Sequence, residues 1–148
     1  MDLKKPSSSM SSNRFHLAIA VLNLKESKDF YCNFLGCSAG NFETDKWQDI
    51  NFWGNELTLH KSKNIASKER HNVDMGNVTV PHFGVHLEHK DFRELKEKIE
   101  ASKITFLDPP YRRFVNDKRE QETFFIEDPS GNTLEIKTMT NPQTLFQE

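Results

Sequence analysis

The feature that most constrains the fold of this chain is an internal repeat. The stretches FHLAIAV (residues 15–21) and VPHFGVHLEHK (residues 80–90) both alternate apolar and polar residues, which predicts a strand in each. An amphipathic helix pattern and several short strand patterns follow each of them, and both halves contain Gly-Asn-x-Leu-x-aliphatic, in GNELTL and GNTLEI. This order predicts two copies of a strand-helix-strand-strand-strand module, related by a pseudo-twofold axis.

Capping signals and periodicity predict the elements of the first module. Asn23 can cap a helix that ends at Gly36. Residues 39–43 are expected to form a short strand, and the two strands after it are expected to form a hairpin that turns at Gly54-Asn55.

The same signals predict the elements of the second module and the segment before it. Residues 61–79 are polar and irregular, which predicts a linker or a lid. A strand is expected over residues 81–88, with His89 beginning a loop and a helix starting at about Asp91. Further strands are expected near residues 104–107, 122–127 and 133–137.

Length and composition limit the class of protein. The 148 residues suffice for one domain with a core, and the net charge of -2 argues against nucleic acid as a partner. No apolar run is long enough to span a membrane, and two cysteines are too few for a disulfide framework, so we expect a cytoplasmic protein. Residues 1–13 are expected to be a disordered tail. Residues 14–148 are expected to form a single α+β domain, with modules at about 14–61 and 80–138.

Three histidines fall close together in the second opening strand, and their spacing limits what they can bind. His82 and His86 share a face but stand roughly 13 Å apart at about 3.3 Å per residue, so they cannot bind one metal together. Under the pseudo-twofold axis, however, His16 pairs with His82 and Thr58 pairs with Glu135. His16, His82 and Glu135 are therefore predicted to bind one divalent metal (Fe, Mn or Zn) and to leave open positions on it. The alternative is a cavity with the same polar lining that binds no metal.

At these positions the sequence resembles the vicinal-oxygen-chelate superfamily, which includes glyoxalase I, fosfomycin-resistance thiol transferases, bleomycin-binding proteins and extradiol dioxygenases. The matching stretches are FHLAIAVLNLKESKDFYCNFLGC, VPHFGVHLEHKDFRELKEKIE and FFIEDPSGNTLEIK, and the resemblance covers about residues 14–138. It implies an α+β fold of two βαβββ modules that form a cupped mixed sheet around a central cavity. It also implies that the metal ligands are His16, His82 and Glu135.

Departures from the family's patterns bear on the reaction. Glyoxalase I has a glutamate ligand where this chain has Thr58. The fosfomycin enzymes have a serine and a tyrosine where it has Thr123 and Phe125, and the extradiol enzymes also have a tyrosine at the position of Phe125. The ligand set is nearest to that of the dioxygenases, so we expect a dioxygenase-like metalloenzyme that binds vicinal oxygens of a small substrate. The alternatives are a metal-free protein that binds a drug-like ligand, and a glyoxalase-type lyase or thiol transferase.

Further residues are candidates for proton transfer and substrate contact. His60 lies on the same strand face as Thr58 and is our candidate for acid-base catalysis, or else a histidine at the rim of the cavity. Thr58 and Phe125 are expected to contact the substrate. Arg113 and Arg119 lie in a basic loop that is expected to border the opening, where they can clamp an anionic substrate or else be solvated.

A homodimer is also expected, mainly because the resemblance implies one. The twelve phenylalanines and two tryptophans support it, since they supply more apolar area than one small cup needs. Neither nucleic acid nor a membrane is expected as a partner.

Overall fold

The structure is a computed structural model, and it describes residues 12–65, 67–73 and 76–148. Most of the predicted disordered tail, residues 1–11, lies outside the described residues. None of the helices in the described ranges is long and apolar enough to cross a membrane.

The first module consists of one helix and four strands of a mixed sheet. Its elements are β1 (His16–Val21), α1 (Leu24–Asp29), which continues as a π-helical turn (Phe30–Phe34), β2 (Ser38–Glu43), β3 (Trp47–Phe52) and β4 (Asn55–Lys61). The strand order is β1-β4-β3-β2, with β1 parallel to β4 and the other pairs antiparallel.

The segment between the modules contains a small hairpin. It consists of β5 (Arg70–Val73) and β6 (Gly76–Thr79), which pair antiparallel. The Arg70 guanidinium bonds both carboxylate oxygens of Asp108 in the second module, at 2.9 and 3.0 Å. The prediction of an irregular linker over 61–79 was therefore wrong for the hairpin residues, because β5 is exposed throughout and β6 buries only Val78 and Thr79, so no alternation of apolar residues marks the strands.

The second module repeats the plan of the first. Its elements are β7 (Phe83–His86), α2 (His89–Glu100), β8 (Asp108–Arg113), β9 (Gln121–Glu127) and β10 (Thr133–Met139), and a short 3-10 turn (Pro142–Thr144) follows. The strand order is β7-β10-β9-β8, with β7 parallel to β10. Because the two sheets have the same order and the same directions, the predicted α+β fold of two βαβββ modules is confirmed.

Local signals explain the first module's boundaries. The Asn23 side chain accepts a hydrogen bond from the Glu26 amide at 2.9 Å, as the cap prediction required, and the helix ends at Gly36, whose φ is 87°. The hairpin turns one residue earlier than predicted. Trp53 and Gly54 both have positive φ, 46° and 89°, which is the backbone of a type I′ turn, so Asn55 already begins β4.

Three boundaries of the second module differ from the predictions. The opening strand β7 covers only Phe83–His86 of the predicted 81–88. Helix α2 begins at His89 rather than near Asp91, because extended Glu88 ends the strand segment and serves as the N-cap. The strand predicted near 104–107 lies at Asp108–Arg113, within the segment predicted to be a loop. Two consecutive prolines, Pro109 and Pro110, argue against a strand in the sequence. They are tolerated because β8 is the outer strand of its sheet and its register shifts between Asp108 and Tyr111.

A buried carboxylate joins the two modules. The Tyr31 hydroxyl donates to Asp128 Oδ2 at 2.8 Å, and the Asn132 amide donates to the same oxygen at 3.0 Å and to the Ala20 carbonyl at 2.9 Å. Ser130 in the same turn accepts a hydrogen bond from the Leu22 amide at 2.8 Å. The turn of the second module is thus hydrogen-bonded to the end of β1, next to an apolar core that residues of both modules share.

We expect Tyr31→Phe to lower the free energy of unfolding by about 1–3 kcal/mol, because it leaves the buried Asp128 carboxylate short of one donor. The measurement is urea unfolding followed by circular dichroism. Asn33→Ala, which removes an exposed contact with Asp29, is the control and should change stability by less than about 0.5 kcal/mol. Equal effects of the two substitutions would contradict this role of Tyr31.

Candidate metal centre

A buried glutamate lies at the middle of the second sheet. In the strand register, Glu135 of β10 is flanked by Gly84 of β7 and Phe125 of β9. Its side chain is on the face opposite the apolar neighbours Leu134 and Ile136 and is only 7% exposed. A Cβ atom at Gly84 would lie 1.6 Å from the Glu135 carbonyl oxygen, so only glycine permits this close approach of β7.

His82 and Glu135 lie side by side. His82 Nε2 is 3.2 Å from Glu135 Oε1, and the other carboxylate oxygen, Oε2, accepts a hydrogen bond from Thr123 Oγ1 at 2.6 Å. His82 Nδ1 is 2.7 Å from the carbonyl oxygen of Thr79, the last residue of β6. The Phe125 ring meets the imidazole edge-on, with centroids 5.0 Å apart. The imidazole is thus held on three sides.

The contacts of His82 are satisfied only when the site holds an additional proton or another cation. Both ring nitrogens face oxygen acceptors, and a neutral imidazole has only one N–H to donate. The site is satisfied either by a proton, which makes an imidazolium, or by a cation between Nε2 and Glu135 Oε1. When Thr79 fixes the N–H on Nδ1, Nε2 carries a lone pair, which is the usual second-shell arrangement of a metal-binding histidine. The pair can therefore supply two ligand atoms to a divalent metal, His82 Nε2 and Glu135 Oε1.

The pKa values of the pair reflect the same interaction. The hydrogen bond to Glu135 raises the pKa of His82 above its usual value, against the opposing effect of burial. Burial raises the pKa of Glu135, but the hydrogen bonds from His82 and Thr123, helped by the charge of Lys137, outweigh burial and lower it. Without metal, the site thus favours an imidazolium beside a carboxylate.

His16 has a similar environment elsewhere in the chain. Its Nδ1 lies 2.6 Å from Glu56 Oε1, and both side chains are about half exposed. The carboxylate holds Nδ1, which leaves Nε2 available as a ligand atom. Within the described ranges of one chain, however, no group of three or more His, Cys, Asp or Glu side chains could hold a metal ion. The structure brings His82 and Glu135 together and does not bring His16 to them.

The other predicted residues of the first module lie on the face that carries His16. Thr58 is paired with Ala18 of β1 and Asp49 of β3, and its hydroxyl donates to Asp49 Oδ1 at 2.7 Å. His60 is exposed two residues further along β4. Sequence reasoning missed Asp49, although the alternation in WQDINFW placed it on the same face as Thr58.

The two arginines predicted to clamp a substrate make contacts with their own loop. The Arg119 guanidinium bonds both carboxylate oxygens of Asp117 at 3.0 Å and lies over the Phe114 ring. Arg113, at the end of β8, also lies over the Phe114 ring, 4.6 Å from its centroid. Substrate binding by these arginines stays a prediction.

Two residues to which the sequence analysis gave no role support the glutamate. Thr123 orients one carboxylate oxygen, and Lys137 Nζ lies 3.8 Å from the other, Oε1. Both could have been found from alternation, since Lys137 is two residues from Glu135 and Thr123 is its cross-strand neighbour.

Comparison with known families agrees with this architecture. The model of the Glyoxalase/Bleomycin resistance protein/Dioxygenase superfamily matches residues 14–136. The chain belongs to this superfamily. The predicted resemblance is therefore confirmed. A comparison with curated proteins finds no match.

Solved structures of the superfamily share the fold of this domain. A glyoxalase/bleomycin resistance protein/dioxygenase from Alicyclobacillus acidocaldarius is 33% identical, with a TM-score of 0.73 over 90% of this chain and 96% of that one. The fosfomycin resistance protein of Listeria monocytogenes is 18% identical, with a TM-score of 0.66 over 92% of this chain and 100% of that one. A lactoylglutathione lyase from Agrobacterium tumefaciens is 18% identical, with a TM-score of 0.61 over 90% and 96%. The last two show likeness of fold alone.

The His82–Glu135 pair should make the stability of the metal-free domain depend on pH. The folded pKa of His82 is raised above 6.5, so its contribution is complete below that pH and is lost as pH rises through the folded pKa. In the presence of a chelator, the urea midpoint should therefore fall more between about pH 5.5 and about pH 8.5 in the natural protein than in His82→Gln. His71→Gln, in β5, is the control and should retain the full fall. The same fall in all three proteins would show that His82 is not coupled to Glu135.

Proposed function

We propose that this protein is a metal-dependent enzyme for a small molecule that presents two adjacent oxygens to the metal. One observation carries the proposal: His82 and His16 each hold Nδ1 against an oxygen acceptor, and a buried carboxylate lies beside His82 Nε2. Two oriented imidazoles and one carboxylate form a ligand set for iron, manganese or zinc that leaves positions for substrate.

The ligand set is completed, in this proposal, by a second copy of the chain. In the described part of the chain, β1 is hydrogen-bonded only to β4 and β7 only to β10, so His16 lies on an edge strand and His82 lies just before one. Phe15, next to His16, is 66% exposed. A twofold dimer in which β1 of one copy lies along β7 of the other would bring His16 to the His82–Glu135 pair twice, once in each symmetry-related site. The expected homodimer would thus be required to complete the set of metal ligands.

The chain's own residues would prepare this site for reaction. Bound there, a divalent metal supplies a Lewis acid for the two substrate oxygens or, if it is iron, a route for electrons to dioxygen. Thr123 fixes the Glu135 carboxylate, and the buried Phe125 ring closes the side of His82 against water. On the face with His16, Asp49 and His60 are the groups that can accept a proton from the substrate.

The ligand set favours a dioxygenase-like reaction over the alternatives. Thr58 stands where a fourth protein ligand would be expected, and its hydroxyl is engaged with Asp49, so substrate can occupy the remaining positions. A lyase or thiol transferase is the next candidate, which thiol-dependent turnover would indicate; one solved structure of the same fold is named as a lactoylglutathione lyase. A metal-free binding protein is supported by a different observation, since a proton alone satisfies the His82–Glu135 pair.

The metal content of the purified protein distinguishes a metalloenzyme from a metal-free binding protein. Protein purified without chelator should hold about one divalent metal per chain, and His82→Ala and His16→Ala should each lose most of it, because each removes one of three protein ligands. Elemental analysis gives the stoichiometry, and circular dichroism shows whether the fold is kept. His71→Ala is the control and should retain the metal. If the natural protein binds no metal, the proposal of a metalloenzyme is wrong and the metal-free binding protein replaces it.

Mixing the two variants tests whether the site is shared between copies. When His16→Ala and His82→Ala are unfolded together and refolded, half of the dimers are mixed, and each mixed dimer has one intact site. About a quarter of the natural metal content should return in the mixture. No recovery, with heterodimers confirmed by mass spectrometry, would place all ligands in one chain.

Thr58→Glu should close the open side of the site. A carboxylate at this position adds a ligand, so metal affinity should hold or rise, while affinity for catechol, a probe with two adjacent oxygens, should fall at least about tenfold. Calorimetric titration measures both affinities. Thr58→Val, which has the size of threonine but no ligand atom, is the control and should bind catechol as the natural protein does. Unchanged catechol binding in Thr58→Glu would mean that residue 58 does not face the metal.

A further inference from the structure

A second polar row crosses the sheet next to the glutamate. In the strand register, His86 of β7, Lys137 of β10, Thr123 of β9 and Tyr111 of β8 lie opposite one another. The row is on the same face as Glu135, because Lys137 and Thr123 both contact the Glu135 carboxylate. It lies two residues along the strands from the glutamate, at a distance of roughly 7 Å.

This row and the next one on the same face are rich in donors and contain no acid. The row has an ammonium, an imidazole, a hydroxyl and a phenol, and the next row consists of Met139, Gln121 and Arg113. The nearest acidic position on the outer strand is Asp108, in the row of Glu135, and its carboxylate is taken by Arg70. The two rows therefore offer positive charge and hydrogen-bond donors on the face of the sheet that carries Glu135.

Lys137 depends on Glu135 for its countercharge. The Lys137 side chain is only 25% exposed, and its ammonium contacts Glu135 Oε1 loosely, at 3.8 Å. That oxygen is also the one that faces His82 Nε2. A divalent metal between His82 and Glu135 would use the negative charge of the carboxylate and would repel the ammonium. A partly buried ammonium left without a partner is unfavourable, so it requires another anion.

We propose that Lys137, with His86 and Tyr111 in the same row, binds an anionic group of the substrate. The group would be a carboxylate, a phosphate or a phosphonate on the molecule whose adjacent oxygens bind the metal. This inference rests on the proposed function and extends it, since it names the chemical class of the substrate. The rise of two residues between Glu135 and Lys137 places the anionic group roughly 7 Å from the ligand carboxylate, about the span of one aromatic ring with its substituents.

The test compares two probes that share a catechol, one with an anionic carboxylate and one with a neutral carboxamide. Protein loaded with Mn²⁺ is titrated calorimetrically with 3,4-dihydroxybenzoate and with 3,4-dihydroxybenzamide, which share the catechol oxygens. The acid should bind at least about tenfold more tightly, because only the acid gives Lys137 an anionic partner. Lys137→Gln should reduce this preference to about twofold or less, and Lys137→Arg should retain most of it. Lys90→Gln, which removes an exposed lysine of α2, is the control and should leave the preference unchanged.

The affinity for Mn²⁺ itself separates this role from a structural one. Lys137→Gln should hold or raise the affinity for the metal, because it removes a cation that lies 3.8 Å from the ligand oxygen. If Lys137 only positions Glu135, the variant should bind Mn²⁺ more weakly and should lose affinity for both probes alike, which would overturn the inference. Equal affinities of the natural protein for the two probes, or binding of neither, would also overturn it. A natural protein that binds no Mn²⁺ would overturn the proposed function and the inference together, and this is seen before any probe is added.

Discussion

The arrangement of the second sheet depends on one buried carboxylate. Glu135 receives a hydrogen bond from Thr123 and faces His82 and Lys137, so three neighbouring groups supply donors or positive charge to one anion. Burial alone would favour the protonated acid, and these neighbours reverse that preference. Gly84 is required beside it because β7 approaches the glutamate backbone too closely for any side chain. A carboxylate kept ionised in a buried position, with an oriented imidazole next to it, is suited to hold a cation.

The two modules share a backbone plan but have different chemistry at equivalent positions. Where the second sheet places Glu135, the first places Thr58, which is hydrogen-bonded to Asp49. In each module, a histidine at the start of the edge strand or just before it has its Nδ1 atom against an oxygen: His16 beside Glu56, and His82 beside the Thr79 carbonyl. The two modules can thus have different roles at the site. The second module supplies the anionic ligand, and the first leaves space for a substrate and supplies groups that can accept its protons.

Much of this was predictable from the sequence because strand alternation is a local property. Alternation and the internal repeat placed His82 and Glu135 on one face, and the structure puts them in contact. The position of His16 relative to them was not predictable, since alternation assigns a residue to a face but says nothing about which sheet, or which copy of the chain, lies opposite. Strand β8 was misplaced because Pro109 and Pro110 argue against a strand unless its position at the sheet edge is known.

The central claim is that one metal ion joins His82 and Glu135 of one chain to His16 of a second. It is tested most directly by a crystal structure of the metal-loaded protein with anomalous diffraction measured at the absorption edge of the metal. The account predicts two equivalent anomalous peaks per dimer, each within bonding distance of His82 Nε2 and Glu135 Oε1 of one copy and of His16 Nε2 of the other. A peak away from Glu135, or one bonded to ligands of a single chain only, would contradict it.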